Sequence, residues 1–96
     1  MDILVTYDIA DTEKSGASRL RQIAQICEKY GNRIQFSVFE CRLSPTRYAR
    51  MTGEIKEVIN DKVDSVVIYR FPGNIDDAKV QLGCIQAHDL DDPYII

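Results

Sequence analysis

The order in which the apolar period changes along this chain restricts its fold more than any other feature. Within 96 residues it runs strand, helix, strand, helix, strand, strand. The opening run Ile3-Leu4-Val5-Thr6-Tyr7 has the β-branched and aromatic content of a buried strand. At a period of two, Ile3, Val5, Tyr7 and Ile9 share one face, and Leu4, Thr6 and Asp8 share the other. Residues 10–18 then supply the helix-start residues Asp11, Thr12 and Ser15. Leu20, Ile23, Ala24, Cys27 and Tyr30 follow at helical spacing, up to a stop at Gly31-Asn32. Residues 33–43 are strand-like throughout. Ser44-Pro45 is an N-cap followed by proline at the first helical position, and it opens a second amphipathic helix bearing Tyr48, Met51, Ile55, Val58 and Ile59. Residues 65–71 form the third strand region, halted by Pro72-Gly73-Asn74. Residues 74–79 read as a loop, 80–87 as a candidate strand and 89–93 as an acidic turn.

Two helices on one face of a mainly antiparallel sheet satisfy this order, giving an α+β class. The length holds a single core, so residues 1–96 are expected to be one domain. The other face of the sheet, with Leu4, Thr6 and Asp8, is left without helices. The chain closes on Tyr94-Ile95-Ile96, apolar where a free tail is ordinarily polar. This ending predicts docking, with a second copy of the chain as partner and the tail as an added edge strand.

Composition narrows the class. With 45% hydrophobic and 28% charged residues the chain has the make-up of a globular protein. No apolar run approaches a membrane span, and no basic leader precedes the first strand, so a cytoplasmic location is expected. Cys27, Cys41 and Cys84 form no Cys-x-x-Cys pair, which excludes a sequence-evident zinc site or disulfide framework; they read as small core residues. His88 has no ligand-spaced companion. The net charge of −3 argues against a generally basic nucleic-acid binder, but it is unevenly spread. Residues 1–50 hold eight Lys or Arg against six Asp or Glu, a net +2, whereas residues 51–96 hold four against nine, a net −5. Arginines in the first half suit local phosphate contacts. Taken singly, Arg47 and Arg50 read as parts of a solvated helix face.

Asp8 is a charge at the exit of an apolar strand. Alone, it reads as a capping or turn residue. Three segments change that reading: Tyr7-Asp8-Ile9, the run Gly31-Asn32-Arg33-Ile34-Gln35-Phe36-Ser37-Val38-Phe39-Glu40, and Asp64-Ser65-Val66-Val67-Ile68-Tyr69. In this order and length, the chain resembles the CRISPR-associated Cas-two family of small metal-dependent nucleases and adaptation-complex subunits. The acidic stretch before Pro93-Tyr94-Ile95-Ile96 further resembles the type I-C branch.

The resemblance implies a ferredoxin-like βαββαβ fold with a C-terminal edge strand, and a homodimer whose sheets face one another. It implies one Mg2+ shared by the two Asp8 carboxylates, making Asp8 both the catalytic and the metal residue. A hard cation that prefers oxygen ligands and keeps several waters is suited to such a pair. Arg19 and Arg33 match basic positions for nucleic-acid contact; Tyr7, Ser37 and Phe39 match supporting positions. For Arg33, ordinary surface charge is an equal reading, and for Tyr7 and Phe39 so is packing. The implied partners are the Cas-one integrase and double-stranded DNA or single-stranded RNA. Three functions stay open: a metal-dependent endonuclease of CRISPR adaptation, a non-catalytic scaffold bridging the integrase and DNA, and a toxin-like messenger-RNA nuclease of the same fold. An RNA-recognition module lacks its aromatic motif here. One segment resists the implied fold. Two strands are required between the helices, yet residues 33–43 hold no Gly, Pro, Asn or Asp to turn them. Either one bent, bulged strand or two short strands with a corner near Ser37 is expected.

Overall fold

The computed structural model describes residues 1–84. Strand β1 (Asp2–Asp8) leads into helix α1 (Ala17–Tyr30), strands β2 (Gly31–Gln35) and β3 (Val38–Arg42), helix α2 (Pro45–Val58) and strand β4 (Ser65–Phe71). The sheet order is β2-β3-β1-β4, with every neighbouring pair antiparallel. This is the expected ferredoxin-like α+β arrangement. The period-two reading of β1 holds: Ile3, Val5, Tyr7 and Ile9 are buried with Ile23, Cys27, Met51 and Ile55 in the helix-side core. Leu4 and Thr6 are half-buried and Asp8 exposed on the opposite face. Ser44 caps α2 as its sequence predicts, its hydroxyl accepting from the Arg47 N–H at 3.2 Å.

Residues 33–43 are two strands rather than one. The register passes from Arg33↔Phe39 to Gln35↔Val38, a bulge that gives β2 one extra residue before the Phe36-Ser37 turn. Neither turn residue has a positive φ, so glycine or asparagine is not needed. The bulge supplies the local twist that a hairpin ordinarily draws from left-handed turn residues.

Both ends of α1 differ from their sequence reading. Asp11, Thr12 and Ser15 precede the helix rather than start it, and Gly16 stands at its N-cap. A Cβ on Gly16 would overlap the Ala10 carbonyl oxygen, so the close return of the chain requires glycine there. At the other end, Gly31 is no left-handed helix stop; it is extended, with φ −161°, and begins β2. A Cβ on it would collide with Cys41 Sγ and the Glu40 carbonyl, so its small size permits β2 to leave α1 directly against β3.

Residues 74–79, read as a loop, contain a 3-10 helix, Ile75–Ala78, capped by Asn74 Oδ1 accepting from the Asp76 N–H at 2.8 Å. Asp2 secures it: one carboxylate oxygen accepts from the Ile75 N–H at 2.8 Å and the other from Arg42 Nε at 3.1 Å. Cys27 and Cys41 are core residues as expected, but Cys84 is exposed, lying six residues beyond the last described element. Residues 80–84 form no strand within this chain. The remainder of the candidate strand at 80–87, His88, the acidic stretch and the Tyr94-Ile95-Ile96 tail lie outside the described residues. Among the described residues no helix is long and apolar enough to cross a membrane.

Candidate active site

Asp8 is the last residue of β1, where three strand ends meet. Across one ladder it pairs with Ser65, the first residue of β4, and residues so paired project from the same face. Across the other, the Tyr7 N–H donates to the Ser37 carbonyl at 3.1 Å, bringing the β2–β3 turn beside it. The exposed Asp8 carboxylate makes no hydrogen bond or ion pair with any described residue. On the same helix-free face, Val67 and Tyr69 are 41% and 53% exposed. One unpartnered carboxylate therefore stands at the margin of an apolar surface, with the backbone of Ser37 and Ser65 on either side.

Of the residues expected around Asp8, the structure brings only Ser37 to its side of the sheet end. Tyr7 and Phe39 point the other way. Tyr7 is 6% and Phe39 0% exposed, and their rings stack at 6.2 Å inside the helix-side core. The Tyr7 hydroxyl donates to the Phe36 carbonyl at 3.4 Å, and burial pushes its pKa up to about 12. Arg33 shares that side. Its guanidinium lies 5.0 Å from the Phe39 ring centroid and donates to Glu28 Oε1 at 2.9 Å, with the side chain only 12% exposed. It covers the core beneath β2 and presents little of itself to a phosphate.

Arg19 is likewise committed within the chain. Nε donates to Asp64 Oδ2 at 2.7 Å, Nη2 to Asp64 Oδ1 at 3.3 Å and to the Ala10 carbonyl at 3.2 Å, and Nη1 to the Ser15 carbonyl at 3.2 Å. Asp64, whose side chain is fully buried, also accepts from the Ala10 N–H at 2.9 Å and the Asn60 N–H at 2.8 Å. The Arg19 hydrogen bond, aided by those backbone donors, holds the Asp64 carboxyl down at about 2 against the resistance of burial. Sequence reasoning passed over both Asp64 and Ser65 as site residues. The segment containing them was visible, but the pairing of Ser65 with Asp8 is a matter of register between distant strands.

Among the described residues no group of three His, Cys, Asp or Glu side chains could hold a metal ion. At this strand end, Asp8 is the described carboxylate with free coordination capacity. Such a carboxylate would suit a hard, water-retaining cation such as Mg2+ as one half of a site.

Comparison with known proteins places the fold in a family. The family model of CRISPR associated protein Cas2 matches residues 1–78. The chain is 37% identical over 95 residues to a CRISPR-associated endonuclease Cas2 from Halalkalibacterium halodurans, covering 99% of both chains. It is 34% identical over 96 residues to a CRISPR-associated endoribonuclease Cas2 from Chlorobaculum tepidum, covering 100% of each. The crystal structure of Streptococcus pyogenes Cas2 at pH 6.5 superposes with a TM-score of 0.76 at 36% identity, covering 86% of this chain and 100% of that one. Fold and match along the chain converge: the protein belongs to the CRISPR-associated Cas2 family.

Proposed function

We propose that this chain is a Mg2+-dependent phosphodiesterase of CRISPR adaptation whose site is completed by a second copy, with Asp8 contributed by each. The observation that carries the reading is the exposed Asp8 carboxylate, without a partner among the described residues, beside the apolar face of the sheet opposite the two helices. Val67 and Tyr69 give a second copy an apolar surface to cover, and covering it face to face would bring two Asp8 side chains to one cleft. Magnesium held there would supply Lewis-acid neutralisation of charge on the phosphodiester. The protein's part is to fix the two carboxylates, to leave room for solvent between them and to offer the Ser65 and Ser37 groups for orienting substrate or water. No Ser, Cys or His nucleophile is needed. The related proteins carry both endonuclease and endoribonuclease names, so duplex DNA and single-stranded RNA are the substrates to compare.

Cleavage of matched RNA and duplex DNA over a Mg2+ titration, with wild type and Asp8→Asn in parallel, tests the proposal. Asp8→Asn is expected to abolish cleavage and leave the dimer unchanged in light scattering. Undiminished Mg2+-dependent cleavage by the variant would refute it.

One observation favours the second reading, a scaffold that carries DNA for the Cas-one integrase. Arg21 and Arg50 are exposed and, unlike Arg19 and Arg33, make no ion pair with a described residue. If the helix layer carries phosphates, Arg21→Glu with Arg50→Glu weakens duplex binding and flattens its salt dependence, and spacer acquisition survives Asp8→Asn. Acquisition lost with Asp8→Asn would instead tie adaptation to the metal site.

A further inference from the structure

We infer that Arg19 and Asp64 form a clasp whose role is to position Asp8, and that Arg19 acts through this contact rather than by binding phosphate. The inference rests on the reading of Asp8 as the metal ligand. The Asp8 carboxylate has no hydrogen-bond partner among the described residues, so within them its placement depends on its backbone. That backbone is held within a closed circuit. Along the chain, Asp8 leads through buried Ile9 to Ala10. Ala10 is tied at both of its backbone groups: its N–H donates to Asp64 Oδ1 at 2.9 Å, and its carbonyl accepts from Arg19 Nη2 at 3.2 Å. Asp64 adjoins Ser65, which pairs back to Asp8 across the β1–β4 ladder. Asp8, Ile9, Ala10, Asp64 and Ser65 thus form a circuit of chain segments closed by one hydrogen bond and one ladder pairing, and Arg19 ties its far side.

Two features show that the circuit is built for closeness. Gly16 leaves the space that the Ala10 carbonyl occupies, and any Cβ there would displace it. The Asp64 side chain is fully buried, while Arg19 is 18% exposed. The four hydrogen bonds made by Arg19 leave one of its five N–H groups for any other ligand. A phosphate would have to break the clasp to obtain the bidentate contact for which arginine is suited. Partners that orient a metal ligand alter metal affinity or activity by roughly 10- to 100-fold when removed, even though they never touch the ion.

Arg19→Gln and Arg19→Lys, compared with wild type below the melting temperature of each, separate these roles. Two readouts are needed: Mn2+ affinity, from paramagnetic broadening of the Asp8 amide resonance, and the kinetics of Mg2+-dependent cleavage. Arg19→Gln is expected to weaken Mn2+ binding and lower kcat by about tenfold or more. KM and the salt slope of nucleic-acid binding should stay unchanged. Arg19→Lys keeps a cation against Asp64 without the planar fork that reaches Ala10, so it recovers part of the loss. A raised KM and a salt slope reduced by about one, with Mn2+ affinity intact, would make Arg19 a phosphate ligand and overturn the inference. Unchanged Mn2+ affinity and kcat in folded Arg19→Gln would overturn it as well. A wild type that binds no Mn2+ near Asp8 refutes the functional reading and the clasp together, whereas a wild type that binds it and a variant that binds it equally refutes the clasp alone.

Discussion

Replacing Asp64 by alanine removes the acceptor on which Arg19, Ala10 and Asn60 converge, and the cost follows from what is left behind. Breaking a fully buried ion pair by deleting one partner costs about 3–5 kcal/mol. Arg19 retains 18% of its side-chain exposure and can recover some hydration, which lowers that range. The Asn60 N–H is near solvent, but the partly buried Ala10 N–H is orphaned. Together these give about 3 kcal/mol. The part of this that titrates follows from the same contacts: a carboxyl whose pKa falls from 3.8 to about 2 on folding contributes about 2 kcal/mol at neutral pH. With an unfolding entropy of about 2.1 cal/mol/K per residue, a chain of 96 residues should lose about 15 °C in Tm. The folded-state pKa is depressed, so the stabilisation is complete above the unfolded value of 3.8 and fades as the pH falls through about 2. Circular-dichroism melts of wild type and Asp64→Ala at one fixed protein concentration, at pH 7 and pH 3, measure the gap. It should be near 15 °C at pH 7 and about two-thirds of that at pH 3. A gap under about 4 °C at pH 7, or one of equal size at both pH values, would refute this account of Asp64.

Three further outcomes follow from the packing. Gly31→Ala forces a methyl group into the Glu40 backbone and Cys41 Sγ, and is expected to cost about 3 kcal/mol, read from the urea midpoint; a loss within 0.5 kcal/mol would contradict the close approach. Tyr7→Phe removes only a hydroxyl bonded at 3.4 Å and should cost less than about 1 kcal/mol, whereas Phe39→Ala, in the fully buried core, should cost about 3–5 kcal/mol. Under native conditions a thiol reagent should modify Cys84 alone. Burial pushes the Cys27 and Cys41 thiols up to about 12 and about 11, so they should react only after unfolding, as peptide mapping of the modified chain would show.

What the sequence disclosed and what it withheld divide along physical lines. The core face of β1, both helices and the open face bearing Asp8 are consequences of local period, and each was legible. Ser44-Pro45 announced α2 because capping is a local bond. Gly31 was misread and Gly16 passed over because their reason lies elsewhere in the chain: Gly16 meets Ala10, and Gly31 meets β3. The β2–β3 turn was ambiguous because a bulge, set by register, replaced the expected turn residues. The same limit affected the site. Asp8 was evident at the end of its strand, but nothing local marks Asp64 as a buried acceptor or Ser65 as its cross-strand neighbour. The resemblance drew Arg19, Arg33, Tyr7 and Phe39 toward the site by position in the motif. The fold instead gives Arg19 to Asp64, and stacks Tyr7 and Arg33 on Phe39 beneath the sheet.

The central claim is that one Asp8 is half of a site. The most direct test is the stoichiometry of divalent-cation binding by isothermal titration with Mn2+, on wild type and Asp8→Asn of verified dimeric state. The account predicts one ion per two chains in the wild type and none at that affinity in Asp8→Asn. One ion per chain, or equal binding by the variant, would contradict it.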